Sequence, residues 1–212
     1  MRTELDVAEL DPDVTYRLLT ASVVPRPIAW VSTRSAAGVD NLAPHSFFTI
    51  SCVRPPIVQF TSVGRKDSLR NVEETGQFVV SFAPEWLTRV INESATDFPR
   101  DESEFDTVGI EREPSRTVAP SRVADSPVAL ECVLERTIEL GDSTVVMGRV
   151  QHIALDPAVV DDSDGHPHPR IDLMRPMARL GRNEWGSLGE VRDIPREPYD
   201  VRLRRQAQQA GQ

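Results

Sequence analysis

No apolar run in this 212-residue chain approaches the ~20 residues that span a bilayer, so no membrane-crossing helix is expected. The first residues, MRTELDVAELDPDV, are acidic and lack the apolar stretch and small-residue cleavage site of a secretory signal, so a cytoplasmic location with no membrane association is expected. Positive charge is also scarce. With 24 Lys and Arg against 33 Asp and Glu, and a net charge of −9, there is no large basic face for nucleic acid, and any anionic ligand must be held by local cations. Cysteine is limited to Cys52 and Cys132, outside any CxxC or Cys/His spacing, which reads as two buried thiols rather than a zinc or redox site. Neither G-x-G-x-x-G nor G-x-x-x-x-G-K-[ST] occurs, which excludes a Rossmann dinucleotide site and a P-loop. His166 and His168 stand among carboxylates in DDSDGHPHPRID, but without a third spaced imidazole the segment reads as a solvated loop, and no metal is expected.

What is present is proline: 17 against 11 glycines, a punctuation that suits short strands joined by turns better than a helical bundle. Strands are expected over Ile28–Thr33, Ile57–Ser62 and Gln77–Phe82, the last with Phe78, Val80 and Phe82 on one face. A long hairpin is expected from Val128 to Leu155, turning at GDS. In its first arm Val128, Leu130, Cys132 and Leu134 alternate with Glu131, Glu135 and Glu139 as in a half-buried strand. A short helix is expected at Tyr16–Ala21, ended by VPRP. Two more are expected, Asp67–Thr75 with Asp67 as N-cap and Gly76 beyond its end, and Pro84–Ser94 with Pro84 at N1. Six or seven antiparallel strands with short helices favour a small barrel, because closure removes exposed edges. Asp97–Pro127 reads as an acidic excursion, and the stretch from Ile194 as a polar, basic tail.

Two stretches carry chemistry. VGRKDSLRN, Val63–Asn71, places Lys66 and Ser68 at a helix N-terminus, where unpaired N–H groups and partial positive charge suit a phosphate; an ordinary capped surface helix would use the same residues. DNLAPHSFFTI, Asp40–Ile50, should be a strand, yet Asn41, Pro44, His45 and Ser46 interrupt its first half.

Together these stretches resemble the flavin reductase-like FMN-binding split-barrel family. The resemblance is carried by RPIAWVST, then NLAPHSFF, PP before the next strand, KDSLRNVEETGQFVV, and later SPVALECVLERTIELG, VVMGRVQHI and LMRPMARLGRNEW. It covers about residues 14–185, leaving 1–13 as an N-terminal arm and 186–212 as a polar C-terminal tail. The resemblance implies a mainly β fold, a six- or seven-stranded antiparallel Greek-key barrel with short peripheral helices. It further implies a homodimer with FMN near the subunit interface. By residue, it implies Ser32 and Thr33 near the phosphate and ribityl chain, and Asn41, Leu42, Ala43 and Ser46 along the ring edge with Phe47 beside them. Ser62, Lys66, Asp67 and Ser68 match the phosphate end, while Arg179, Leu180 and Gly181 match a late wall of the site. Ser68 stands where the family more often has Thr, and Trp185 where Tyr is expected. Trp30 is a candidate for stacking on the flavin, and His45 for contacting substrate or stabilising charge on reduced flavin. The implied activity is an NAD(P)H:flavin reductase, with NADH or NADPH as donor, supplying reduced flavin to a partner monooxygenase. The alternative is a carrier whose tightly bound FMN passes electrons between proteins.

Overall fold

The computed structural model describes residues 1–199 and 201–202, so position 200 and positions 203–212 of the expected tail lie outside the described residues. Seven strands form one antiparallel sheet: β1 (Ala29–Arg34), β2 (Asp40–His45), β3 (Phe48–Cys52), β4 (Ile57–Val63), β5 (Gln77–Phe82), β6 (Val128–Leu140) and β7 (Ser143–Leu155). Their order in space is β2-β1-β5-β6-β7-β4-β3. Consecutive strands β2 and β3 therefore stand at opposite edges, although only Ser46 and Phe47 separate them. Such a link spans at most roughly 11 Å, so the sheet has to curl until its edges approach. This is the split barrel expected from the sequence, with short helices at its periphery.

Strand alternation sorts the side chains. Ala29, Val31, Phe60, Phe78, Val80, Cys132 and Val146 fill the interior, joined by Leu69 and Val72 from α2 (Asp67–Thr75). Along β7, Gly148 leaves room for this packing: a Cβ there would lie 2.2 Å from Phe78 Cζ. On the outer face, Trp30, Leu42 and Ala83 form a second apolar layer with Ile91, Phe105, Ile110 and Val123. The excursion expected at Asp97–Pro127 supplies much of this cover, including helix Glu104–Val108. Arg112 pins it to the barrel by bonding Asp40 Oδ2 at 3.0 Å, Ser103 Oγ at 2.9 Å and Asp106 Oδ1 at 2.7 Å.

β5 has the expected bounds, and the hairpin pairs Val128–Leu140 with Ser143–Leu155. Four local expectations are corrected. Helix α1 runs Pro12–Ser22, longer than expected, because the Asp11 carboxylate accepts from Asp13 N at 2.8 Å and Pro12 starts the first turn. The second is α2, whose N-cap is Lys66, with no side-chain cap; Asp67 turns instead toward Arg70, 3.2 Å away. Pro84 precedes a 3₁₀ turn at Glu85–Leu87, and the α-helix proper is only Thr88–Glu93. Finally, Glu131 does not face water. The excursion covers it completely and it accepts from Arg116 N at 2.8 Å, Thr117 N at 2.6 Å and Arg122 Nε at 2.8 Å.

Candidate functional site

The two chemical stretches meet in one open groove of about 250 Å³ beside the barrel split. Asn41, Ala43, Pro44, His45, Ser46 and Phe47 form one wall, and Ser62, Lys66, Asp67 and Ser68 the other.

β2 is a free edge, and its backbone decides what that wall offers. Leu42 pairs with Ser32 on β1, yet its N–H turns away from the ladder and donates to Glu104 Oε2 at 2.8 Å. The N–H two residues on would face the same way, but Pro44 has none. The carboxylate thus satisfies the Leu42 donor and Pro44 has none to offer, so these two positions present only carbonyls at the edge, with the Asn41 amide beside them. Burial pushes the Glu104 carboxyl above the usual range, partly offset by the Leu42 N–H.

His45 clasps the split. Its ring lies on Phe60, centroids 4.6 Å apart, and its Nε2 is 3.2 Å from Ser68 Oγ. Burial pushes its pKa down to about 4, against a hydrogen bond to the Thr61 backbone on β4 that favours the charged form. The ring is therefore neutral at physiological pH and brings no positive charge to a ligand. With one ring N–H given to the Thr61 backbone, Nε2 is left as the acceptor of the Ser68 hydroxyl. Asn41 Nδ2 in turn donates to Ser68 Oγ at 3.2 Å. The Ser68 hydroxyl, expected as a donor to phosphate, is thus committed inside the protein. The Ser62 hydroxyl is committed as well, to Gly64 O at 2.9 Å. A serine beside a histidine suggests a nucleophile and base. Here the serine is 1% exposed, the imidazole is a weak base, and among the described residues no carboxylate orients it.

What faces an anion at this end is Lys66, together with the first turn of α2, where no side chain caps the backbone N–H groups. The groove therefore has a cationic end, a polar wall from the β2 backbone and the Asn41 amide, and an apolar surface from Ala43, Pro44, Phe47 and Phe98.

Five expected site residues are placed elsewhere. The Trp30 side chain is fully buried, its Nε1 donating to Ser94 Oγ at 2.9 Å. Ser32 Oγ donates to Ser121 O. Thr33 Oγ1 accepts from Asn71 Nδ2 at 3.0 Å. Leu42 packs in the outer layer, so only its backbone reaches the wall. Arg179 stacks over Trp185 at 5.0 Å, in a small sheet of Arg26–Pro27, Met177–Arg179 and Trp185–Ser187, and does not line the groove. Its neighbours Leu180 and Gly181 do not line the groove either. Conversely, Tyr16, Thr61, the Ser94–Phe98 segment and Glu104 line it without having been anticipated. ATDF, Ala95–Phe98, carries no periodic or motif signal, and Glu104 is identified only by its contact with a backbone 62 positions away.

A sequence profile described as flavin reductase like domain matches residues 21–169. An uncharacterized protein of Deinococcus radiodurans is 40% identical over 188 residues, which cover 84% of this chain and 82% of that one. Nitrilotriacetate monooxygenase component B from Bacillus cereus superposes with a TM-score of 0.87 at 30% identity, covering 92% of this chain and 99% of that one. The Pseudomonas fluorescens 2-nitrobenzoate 2-nitroreductase NbaA gives 0.86 at 29% identity, over 93% and 98%. Fold and groove thus define a flavin-related oxidoreductase built on a split barrel. The chain belongs to the flavin reductase-like family.

Proposed function

We propose that this chain is an NAD(P)H-dependent flavin reductase that binds FMN along the groove and supplies reduced flavin to a partner monooxygenase. The observation that carries the reading is the groove's polarity: Lys66 and the uncapped start of α2 at one end, and the β2 edge with the Asn41 amide and an apolar surface at the other. These groups fit FMN, whose phosphate is dianionic, whose pyrimidine edge carries one N3–H donor between two carbonyl acceptors, and whose rings have two apolar faces. When bound, FMN supplies a hydride acceptor that needs no protein nucleophile and no metal. The chain's own residues then have three tasks. Lys66 holds the phosphate, the β2 edge orients the ring through a carbonyl to its N3–H and through the Asn41 amide, and neutral His45 keeps β2 and β4 at a fixed separation. The likeness to a protein named as a monooxygenase component supports the partner role.

Purified protein is expected to quench FMN fluorescence on binding and to oxidise NADH or NADPH when flavin is added. In Lys66→Ala, FMN should bind about tenfold more weakly, the worth of one charge-assisted hydrogen bond. Riboflavin, which lacks the phosphate, should be unaffected. Equal loss for both flavins would place the phosphate elsewhere.

The same reading includes a homodimer with the groove near the interface. Ile50 in edge strand β3 and Val53 just beyond its end are 71% and 77% exposed, leaving an apolar strand end for a second chain to cover. Light scattering behind size exclusion is expected to give twice the chain mass, and a monomer at micromolar concentration would exclude this arrangement.

A further inference from the structure

The cation expected to meet the phosphate already has a partner. Lys66 Nζ lies 2.6 Å from Asp97 Oδ1, and both side chains line the groove. They are well exposed, Lys66 at 56% and Asp97 at 81%. Lys66 is the one Lys or Arg among the described lining residues, whereas Asp67, Asp97 and Glu104 are all carboxylates. Asp67 is engaged with Arg70, and Glu104 with the Leu42 N–H. Asp97 has no second cation within ion-pair distance among the described residues.

We propose that Asp97 competes with the flavin phosphate for Lys66 and so makes FMN an exchangeable substrate rather than a resident group. The inference rests on the FMN reading of the groove. A phosphate dianion arriving at Lys66 displaces the Asp97 carboxylate and then has that negative charge as a neighbour, so the bound state is opposed twice by one side chain. No covalent step is involved. Flavins without a phosphate do not enter this competition, so Asp97 also narrows the difference between FMN and riboflavin. Screening by salt weakens both the pair and the repulsion.

The test titrates FMN and riboflavin into the full chain, parent and Asp97→Asn, at low and at high salt. Asp97→Asn should bind FMN about tenfold more tightly at low salt and release it more slowly, with a smaller gain at high salt. Riboflavin affinity should stay the same. At 81% exposure the position carries no burden of folding, so a change in binding reports on charge. In a Lys66→Ala background the gain from Asp97→Asn should fall at least severalfold, as a double-mutant cycle requires of a direct competitor. An undiminished gain there, an unchanged FMN affinity, or an equal shift for both flavins overturns the proposal while leaving the FMN reading intact. Absence of any flavin binding in the parent protein overturns both.

Discussion

Glu131→Gln is expected to destabilise the protein by about 3–5 kcal/mol, the range for breaking a buried ion pair by removing one partner. Glu131 is fully buried, and Arg122, 9% exposed, bonds it through two guanidinium nitrogens. Glutamine keeps the volume but removes the charge, leaving the guanidinium with only Glu113 at 3.2 Å. The same site predicts an acid limit. Burial alone pushes the Glu131 carboxyl up, but the hydrogen bonds from Arg116, Thr117 and Arg122 together outweigh it and hold the pKa at about 2. A group whose pKa is depressed in the folded state stabilises fully above its unfolded value and loses that contribution as pH falls toward the folded one. For an unfolded value near 4.3, roughly 3 kcal/mol is lost between about pH 4.5 and pH 2. Urea denaturation across that window should show the decline in the parent and a flatter curve in Glu131→Gln. Parallel curves would mean that another carboxylate sets the acid limit.

Phe60→Ala is expected to cost a similar ~3–5 kcal/mol through the cavity it leaves. Phe60 is fully buried, edge-on to Phe78 with centroids 5.4 Å apart, and in ring contact with His45. The loss should extend from stability to binding, because the His45 clasp rests on this ring. Water entering the cavity should raise the His45 pKa from about 4 toward its ordinary value, an upward shift visible in imidazole proton chemical shifts during an acid titration. Phe60→Leu, which keeps more of the volume, should recover part of the stability and most of the depressed pKa. A His45 pKa that stays put in Phe60→Ala would show that the ring is shielded by something other than Phe60.

The parts of this fold that were legible in the sequence are those set by near neighbours. Alternation from Gln77 to Phe82 fixed β5, and the hairpin followed from its own pattern and a GDS turn. Orientation was less legible where both faces of a strand are covered. In β1, Trp30 and Ser32 face the outer layer while Val31 faces the interior, and nothing local says that residues beyond 84 will roof that outer face. Glu131 was misplaced for the same reason: alternation marks it as the wet side of a strand, and only the Arg116–Arg122 segment makes that side dry. Asp67 was misread by propensity, since Asp favours N-caps, but Arg70 and Arg100 draw its carboxylate away. Of the groove, the sequence showed both walls, because each is a continuous stretch. It did not show Glu104 or Asp97, whose importance lies in what they face across the chain.

The two-residue link from β2 to β3 has a consequence for ligands. Strands at opposite edges of one sheet are tethered at Ser46 and Phe47, and the groove lies along that seam with His45 on one side and Thr61 and Ser68 on the other. A molecule lodged there touches both lips of the barrel at once and acts as a rivet. Opening the seam must first expel it, so amide protons of β2 and β4 gain protection in proportion to occupancy, by RT ln(1 + [L]/Kd). Strands β5 and β6, which pair with neither lip, gain none from this local opening. A barrel that is split by design is thus closed by its own cargo.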